Sequence, residues 1–225
     1  MSNRNNLITF ENVGLRYGLD PEVIKDINFQ VNTGDFIFLG GESGAGKSSL
    51  LSLINLSMLP SRGFLSVLNK DVQTVTDKDI ANIRRKVGMI FQDFRLINHL
   101  NIFDNIALPL VVEKISVEEI EARVFEILNW IGLKDYAKSY PMSLSGGQQQ
   151  RVAVARAIIN NPSLILADEP TGSIDNKMAN RVLMMLEELN AQGVAVVFAT
   201  HSSDLLNSKK HKLVNIRNKK LEVIR

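Results

Sequence analysis
The sequence lacks cysteine altogether. That excludes a disulfide framework and any thiolate metal site, and it is compatible with a reducing cytosol. It also lacks a surplus of either charge: 26 Lys and Arg against 24 Asp and Glu leave a formal +2. Global electrostatics therefore favour neither nucleic acid nor a membrane surface as the main partner. No apolar run approaches the roughly 18 residues that suggest a membrane span, and the start, MSNRNNLITF, has no apolar signal core. No internal repeat or low-complexity linker interrupts the chain. The expectation is a soluble, cytosolic chain that acts at a membrane only through a partner. At 225 residues it fits one large domain, or one domain carrying an inserted subdomain.

What is present alternates. The apolar runs FIFLG (36–40), VGMIFQ (87–92), SLILAD (163–168) and VAVVFAT (194–200) read as buried strands, each separated by helical patterns. Such spacing predicts a parallel sheet covered on both faces. Ser116 with Glu119 fits a capping box, followed by Ile120, Val124, Ile127, Leu128 and Ile131 at helical spacing up to Gly132. A second helix is predicted from about Asn176 to Gln192, with Gly193 as its stop. ITFENVGLRY and IKDINFQVN alternate like antiparallel strands. The fold class is therefore α/β, with a mixed-sheet core, an antiparallel N-terminal β-subdomain and an inserted helical subdomain at about 93–160.

GGESGAGKS (40–48) contains Gly41-x-x-x-x-Gly46-Lys47-Ser48 between an apolar run and a helix. This is the context a phosphate loop requires. Glycines let the backbone wrap phosphate oxygens, and the helix start adds partial positive charge. The expected nucleotide-binding set is Gly41, Glu42, Ser43, Gly44, Ala45, Gly46, Lys47, Ser48 and Ser49. Lys47 reaches the β- and γ-phosphates, and Ser48 is a ligand for Mg²⁺. In SLILADEPTGSID (163–175) Asp168 and Glu169 stand at the end of an apolar strand, where ligands bind in open α/β sheets. Asp168 would hold Mg²⁺ through water, and Glu169 would orient or deprotonate the attacking water. Gln92 and His201 each follow a strand, and Tyr17 precedes Gly18. Gln92 could sense Mg²⁺ or the lytic water, His201 the γ-phosphate, and Tyr17 could stack on adenine. Taken singly, each is more often an ordinary loop or strand-end residue.

One stretch carries no obvious chemistry. MSLSGGQQQRVAVARA (142–157) has no carboxylate, histidine or cysteine, yet opens a helix with a Ser-Gly-Gly turn. A hydroxyl, bare N–H groups and a helix N-terminus suit an anion, although two glycines also permit tight packing at a helix start.

Together these motifs resemble the nucleotide-binding subunit of ATP-binding cassette (ABC) systems, over nearly the whole chain and in family order. They are Tyr17, the Walker A loop at 41–48, Gln92, the signature LSGGQ at 144–148, the Walker B run LILADE at 164–169, SID at 173–175 and His201. The resemblance implies a P-loop NTPase fold of the ABC ATPase type, with ATP and Mg²⁺ as cofactors. It implies Lys47, Gln92, Glu169 and His201 as the catalytic set, and Ser48, Gln92 and Asp168 around the metal. It also implies a head-to-tail pair of chains, in which Ser145, Gly146, Gly147, Gln148 and Asp175 serve the ATP held by the other copy. GMIFQDFRLINHLNIFDNIALPL (88–110) and ARAIINNPSLILADEPTG (155–172) are similar to the FtsE-type cell-division branch. That branch partners an integral membrane subunit, FtsX, at the cytoplasmic face of the plasma membrane. Lipoprotein-release and macrolide-export ATPases share the EPTG and ALPL elements and stay open as alternatives. GSID stands where these relatives usually have GNLD, and Ser202 follows His201 where an aspartate is usual. Phe94, Leu96, Ile97, Leu100, Ile102 and Phe103 either line a partner groove or pack the subdomain. No nucleic-acid partner is expected, since the basic tail KKHKLVNIRNKKLEVIR reads as a solvated edge hairpin.

Overall fold
A computed structural model describes residues 6–207 and 210–225. Residues 1–5, within the stretch MSNRNNLITF, and residues 208–209, which include the first lysine of the basic tail, lie outside the described residues. In chain order the elements begin with strands β1 (Asn6–Leu15), β2 (Ile24–Asn32) and β3 (Phe36–Gly40), then helix α1 (Lys47–Ile54). Next come β4 (Arg62–Val67), β5 (Lys70–Asp71), α2 (Asp77–Arg85) and β6 (Val87–Ile90). Three helices follow: α3 (Ile102–Val112), α4 (Val117–Trp130) and α5 (Gly146–Ile158). The chain closes with β7 (Leu164–Asp168), α6 (Asn176–Ala191), β8 (Ala195–Ala199), α7 (Ser203–Asn207), β9 (Lys212–Arg217) and β10 (Lys220–Val223).

Two sheets result, ordered β2-β1-β4-β5 and β10-β9-β3-β8-β7-β6. The first is antiparallel. In the second, β9, β3, β8, β7 and β6 run parallel and β10 turns back along β9. The parallel strands FIFLG and AVVFA are buried at every position, as strands covered on both faces must be. Alternate residues point to opposite faces. Ile37, Leu39, Leu164, Leu166, Val197 and Ala199 join α1 and the antiparallel sheet in one core. Phe36, Phe38, Ile165, Ala167, Val196 and Phe198 join α3, α4, α5 and α6 in the other. The predicted mixed α/β sheet with an antiparallel N-terminal sheet is what forms. The helices between 93 and 160 share the second core with the sheet.

Local departures have local causes. β6 stops at Ile90, two residues short of the apolar run, so Phe91 and Gln92 leave the ladder. The capping box expected at Ser116 forms by one arm. The Ser116 hydroxyl accepts the Glu119 N–H at 3.3 Å, but the Glu119 carboxylate turns to Arg123, one helical turn on. Of the six apolar residues after Gln92, Ile102 is fully buried and the other five are half-buried. The tail folds as the edge hairpin that its sequence suggests. Asn218 and Lys219 take φ of 51° and 65° at the turn, the two-residue geometry that suits strand twist. Lys220 pairs with Asp26 at 3.2 Å, so β10 is tied beside the start of β2.

Candidate functional site: two half-sites on one chain
β3 ends at Gly40, and the loop that follows turns back on itself before α1. Gly41 and Gly46 sit at φ of 143° and 107°. A Cβ on Gly41 would stand 2.9 Å from the Ile216 carbonyl, and one on Gly46 2.7 Å from Ile24 Cγ2. No side chain caps α1 and no acid lies in its first turn, which leaves those N–H groups for an anion. Lys47 is buried, and its ammonium donates to the carbonyls of Gly41 at 2.8 Å and Glu42 at 3.0 Å.

Three parallel neighbours aim their ends at this loop. β7 ends at Asp168, and Glu169 then adopts a left-handed φ of 47°, held by its N–H bond to the Ala199 carbonyl at 3.0 Å. A left-handed φ is costly for a residue with a Cβ and persists where surroundings over-determine it. Here it sets the carboxylate between two partners. Oε1 lies 3.4 Å from the Lys47 ammonium, and Oε2 lies 2.9 Å from His201 Nδ1. Oε2 also accepts the His201 N–H at 3.3 Å.

Asp168 faces the same edge. Burial pushes its carboxyl pKa up, opposed by a hydrogen bond from Ser48 and raised further by the Glu169 charge. Its Oδ1 is buried with no hydrogen-bond partner. A buried carboxylate oxygen costs free energy unless something meets it. Ser48, Gln92 and that oxygen fit Mg²⁺, which keeps waters and takes few protein ligands. Among the described residues no cluster of three His, Cys, Asp or Glu offers a denser metal cage.

A cleft of about 400 Å³ is lined by Tyr17, Ser43, Gly44, Gly46, Lys47, Ser48, Ser49, Gln92, Glu169 and His201, with Val23. Tyr17, 43% exposed, is steadied by a 2.9 Å hydrogen bond between its hydroxyl and that of Ser49. Its ring therefore stands at the rim with a face to offer a base. Gln92 also lines the adjoining hollow that holds Asp168. Gly41, Glu42 and Ala45 line the continuation of the cleft toward the β9–β10 turn, and Val23, Ser43 and Gly44 line both.

The signature residues gather elsewhere. Ser145 caps α5 in a reciprocal box: its hydroxyl accepts the Gln148 N–H at 3.4 Å, and Gln148 Oε1 accepts the Ser145 N–H at 2.8 Å. Asp175 caps α6 by accepting the Met178 N–H at 3.0 Å. Both caps, with Gly146, Gly147, Arg151, Ser173, Ile174 and Met178, line a hollow of about 420 Å³. A Cβ on Gly147 would meet Met178 Cγ at 2.7 Å, so the second glycine does permit close helix packing. No residue of the 41–49 loop lines this hollow. The sequence-predicted residues thus fall into two sets on one chain.

Two residues escaped the sequence reading. Asn105 is fully buried; it accepts the Ile97 N–H at 2.8 Å and donates to the carbonyls of Ile97, Leu100 and Asn101. Arg156 donates to the carbonyls of Phe94 and Arg95. A polar residue inside an apolar helical stretch, as in VAVARAII and IFDNIAL, was the available signal.

A glycine-wrapped anion loop and a lysine after β3, with a carboxylate after β7 and only β8 between the two strands, define a P-loop nucleoside triphosphatase. The comparisons narrow the class. Residues 24–172 match the family described as ABC transporter. The chain is 39% identical over 210 residues to the cell division ATP-binding protein FtsE of Escherichia coli (strain K12), covering 93% of this chain and 95% of that one. It is 38% identical to FtsE of Bacillus subtilis (strain 168), at 93% and 92% coverage. The dimeric, post-hydrolysis structure of the ATP-binding cassette MJ0796 bound to ADP and Pi matches with a TM-score of 0.86. That structure is 33% identical, covering 97% of this chain and 99% of its own. The chain belongs to the ABC transporter family, and it is an ATP-binding, ATP-hydrolysing domain of the ABC type.

Proposed function
We propose that this chain is the FtsE-like ATPase subunit of a membrane complex and works as a head-to-tail pair with a second copy of itself. The observation that carries the pairing is the division into two hollows: the phosphate loop lines one, the signature turn another. ATP lies with its phosphates on 41–49 and its adenine by Tyr17. Ser145, Gly146, Gly147, Gln148 and Asp175 of the second copy meet the γ-phosphate from the other side. The dimeric MJ0796 cassette supports this reading, since it shares the fold and one third of the sequence.

Within the closed cleft, Lys47 leaves the carbonyls of Gly41 and Glu42 to neutralise the β- and γ-phosphate oxygens. Glu169 accepts the proton of the attacking water, and His201 holds both the Glu169 carboxylate and the transferring phosphoryl group. Ser48 and Gln92, with Asp168 through water, would hold Mg²⁺, which when bound would supply charge neutralisation on the phosphates. The helices between 93 and 160 act as a signature subdomain that moves with Gln92. The half-buried residues Phe94, Leu96 and Phe103 offer the apolar surface that meets the cytosolic helix of an integral membrane subunit.

The FtsE relatives at 36–39% identity support a cell-division role. The chain then sits on the cytoplasmic face of the plasma membrane beside an FtsX-like partner and controls periplasmic peptidoglycan hydrolases. Among the described residues no helix is long and apolar enough to cross a membrane, so membrane attachment falls to the partner. Depleting the chain tests this: filamentous cells are expected, with an FtsX-type protein recovered alongside the tagged chain. Normal division with mislocalised lipoproteins or lost export overturns it in favour of a transport branch.

A further inference from the structure
Immediately after Gln92 the chain turns through Phe94 and Arg95, at φ of 58° and 48°. Two successive left-handed residues with side chains are disfavoured and need outside support. Arg156 supplies it. Nη2 donates to the Phe94 carbonyl at 2.9 Å and Nη1 to the Arg95 carbonyl at 2.7 Å. A guanidinium is a rigid planar fork, so spanning both carbonyls fixes their spacing and direction together. Burial pushes the Arg156 pKa down, and its charge is met by these two carbonyls. Downstream, Asn105 holds 97–101 separately. The Arg156 fork thus acts on the turn next to Gln92.

Arg156 belongs to α5, the helix that starts at the signature turn. The same turn touches both half-sites. The tip of the Phe94 ring lies 3.8 Å from where a Cβ on Gly146 would stand, and Gln92 Nε2 lies 3.3 Å from the corresponding point on Gly172. The Gln92 carbonyl accepts from Ser173 Oγ at 3.5 Å. A Cβ on Gly146 would be 3.6 Å from the Ser173 carbonyl.

We propose that Arg156 is a positioning residue for ATP hydrolysis: its guanidinium pins the turn after Gln92 to α5, so that Gln92 and the signature turn of the same chain keep one fixed geometry. This rests on the reading of Gln92 as the group that faces the γ-phosphate and its metal. Displacing a catalytic group by about 1 Å lowers the rate by up to about 100-fold without abolishing binding.

The test is a mutant cycle on the purified chain, with kcat expressed per nucleotide-binding site. Arg156→Ala is expected to lower kcat about tenfold and to leave KM for ATP within about twofold. Arg156→Lys, which reaches one carbonyl, is expected to fall between. Gln92→Ala is expected to be slow, and Gln92→Ala/Arg156→Ala no slower, because Arg156 acts through Gln92. Additive losses, or wild-type kcat in Arg156→Ala, overturn the proposal and leave Arg156 a structural residue. Should Arg156→Ala fail to fold, Arg156→Lys carries the same cycle. Gln92→Ala with wild-type kcat overturns the role given to Gln92; a slow Gln92→Ala beside fast Arg156 variants overturns only the role given to Arg156.

Discussion
The two hollows of this chain are built on opposite principles. Around the phosphate loop, charge is concentrated: the Lys47 ammonium and the His201 imidazole lie within 3.4 Å of one Glu169 carboxylate. Backbone is held there in costly conformations, with Glu169 at φ 47°. Around the signature turn the polar groups are spent on helix caps, Ser145 on Gln148 and Asp175 on Met178. Strain and charge support the proposal that bonds change at the first; at the second the proposed role is recognition of an anion, which would have to share the helix starts with these caps. The largest expected effect separates these roles. Glu169→Gln keeps the shape and removes the base, so kcat is expected to fall by about 10²–10⁴ while ATP binding persists. Single-turnover hydrolysis and nucleotide titration measure both. An active Glu169→Gln enzyme ends the assignment of chemistry to this half.

The reciprocal perturbation is Ser145→Arg, which fills the signature hollow with a bulky cation. In a Glu169→Gln background, ATP is expected to convert the chain to a dimer. Adding Ser145→Arg is expected to abolish that dimer while the ATP Kd of the single chain stays within about threefold. Size-exclusion chromatography with and without ATP decides. A dimer that survives reduces the two glycines to packing residues.

The halves were not equally legible. The phosphate loop could be read directly because its chemistry is backbone chemistry: consecutive glycines, one lysine and a helix start are all local in sequence. Glu169 and His201 were weak alone. Their meeting depends on β3, β8 and β7 lying side by side, a long-range outcome that only the order of motifs suggested. Arg156 and Asn105 escape a reading of the sequence because their partners are backbone groups of the 94–101 segment, whose path residue type does not encode. The Ser116 box closes by one arm only, for the opposite reason. Its spacing was right, but Arg123 competes for Glu119, and composition cannot rank two partners of one carboxylate.

A smaller effect is expected where packing rather than chemistry is changed. A Cβ at Gly147 meets Met178 Cγ at 2.7 Å and Sδ at 2.9 Å. Methionine is flexible and can yield in part. Gly147→Ala is therefore expected to lower unfolding stability by about 1–2 kcal/mol, read by denaturant titration, and Met178→Ala in the same chain to restore part of it. The ATP affinity of the phosphate loop should not change. A Gly147→Ala chain as stable as the parent would show that the α5–α6 contact has slack, and that the turn keeps its glycines for the ligand alone.

The smallest effect lies outside both halves and serves as their control. On α2, Asp79 closes a capping box with Thr76 and pairs with Lys70 at 3.1 Å. Hydrogen bonds from Thr76 lower its pKa from 3.8 to about 2, with Lys70 adding to the shift. The folded state thus holds its proton less tightly than the unfolded chain. The stabilisation from this carboxylate is complete above the unfolded value of 3.8 and is lost as pH falls toward about 2. Asp79→Asn removes that pH-dependent part. The stability difference between parent and Asp79→Asn should be constant near neutrality and shrink between pH 4 and 2, followed by denaturant unfolding at each pH. At neutral pH neither kcat nor ATP-driven dimerisation should move, because α2 supplies no residue to either hollow. A difference that stays flat to pH 2 would remove the ionised box. A change in kcat would show that the two halves are coupled through a part of the fold that touches neither.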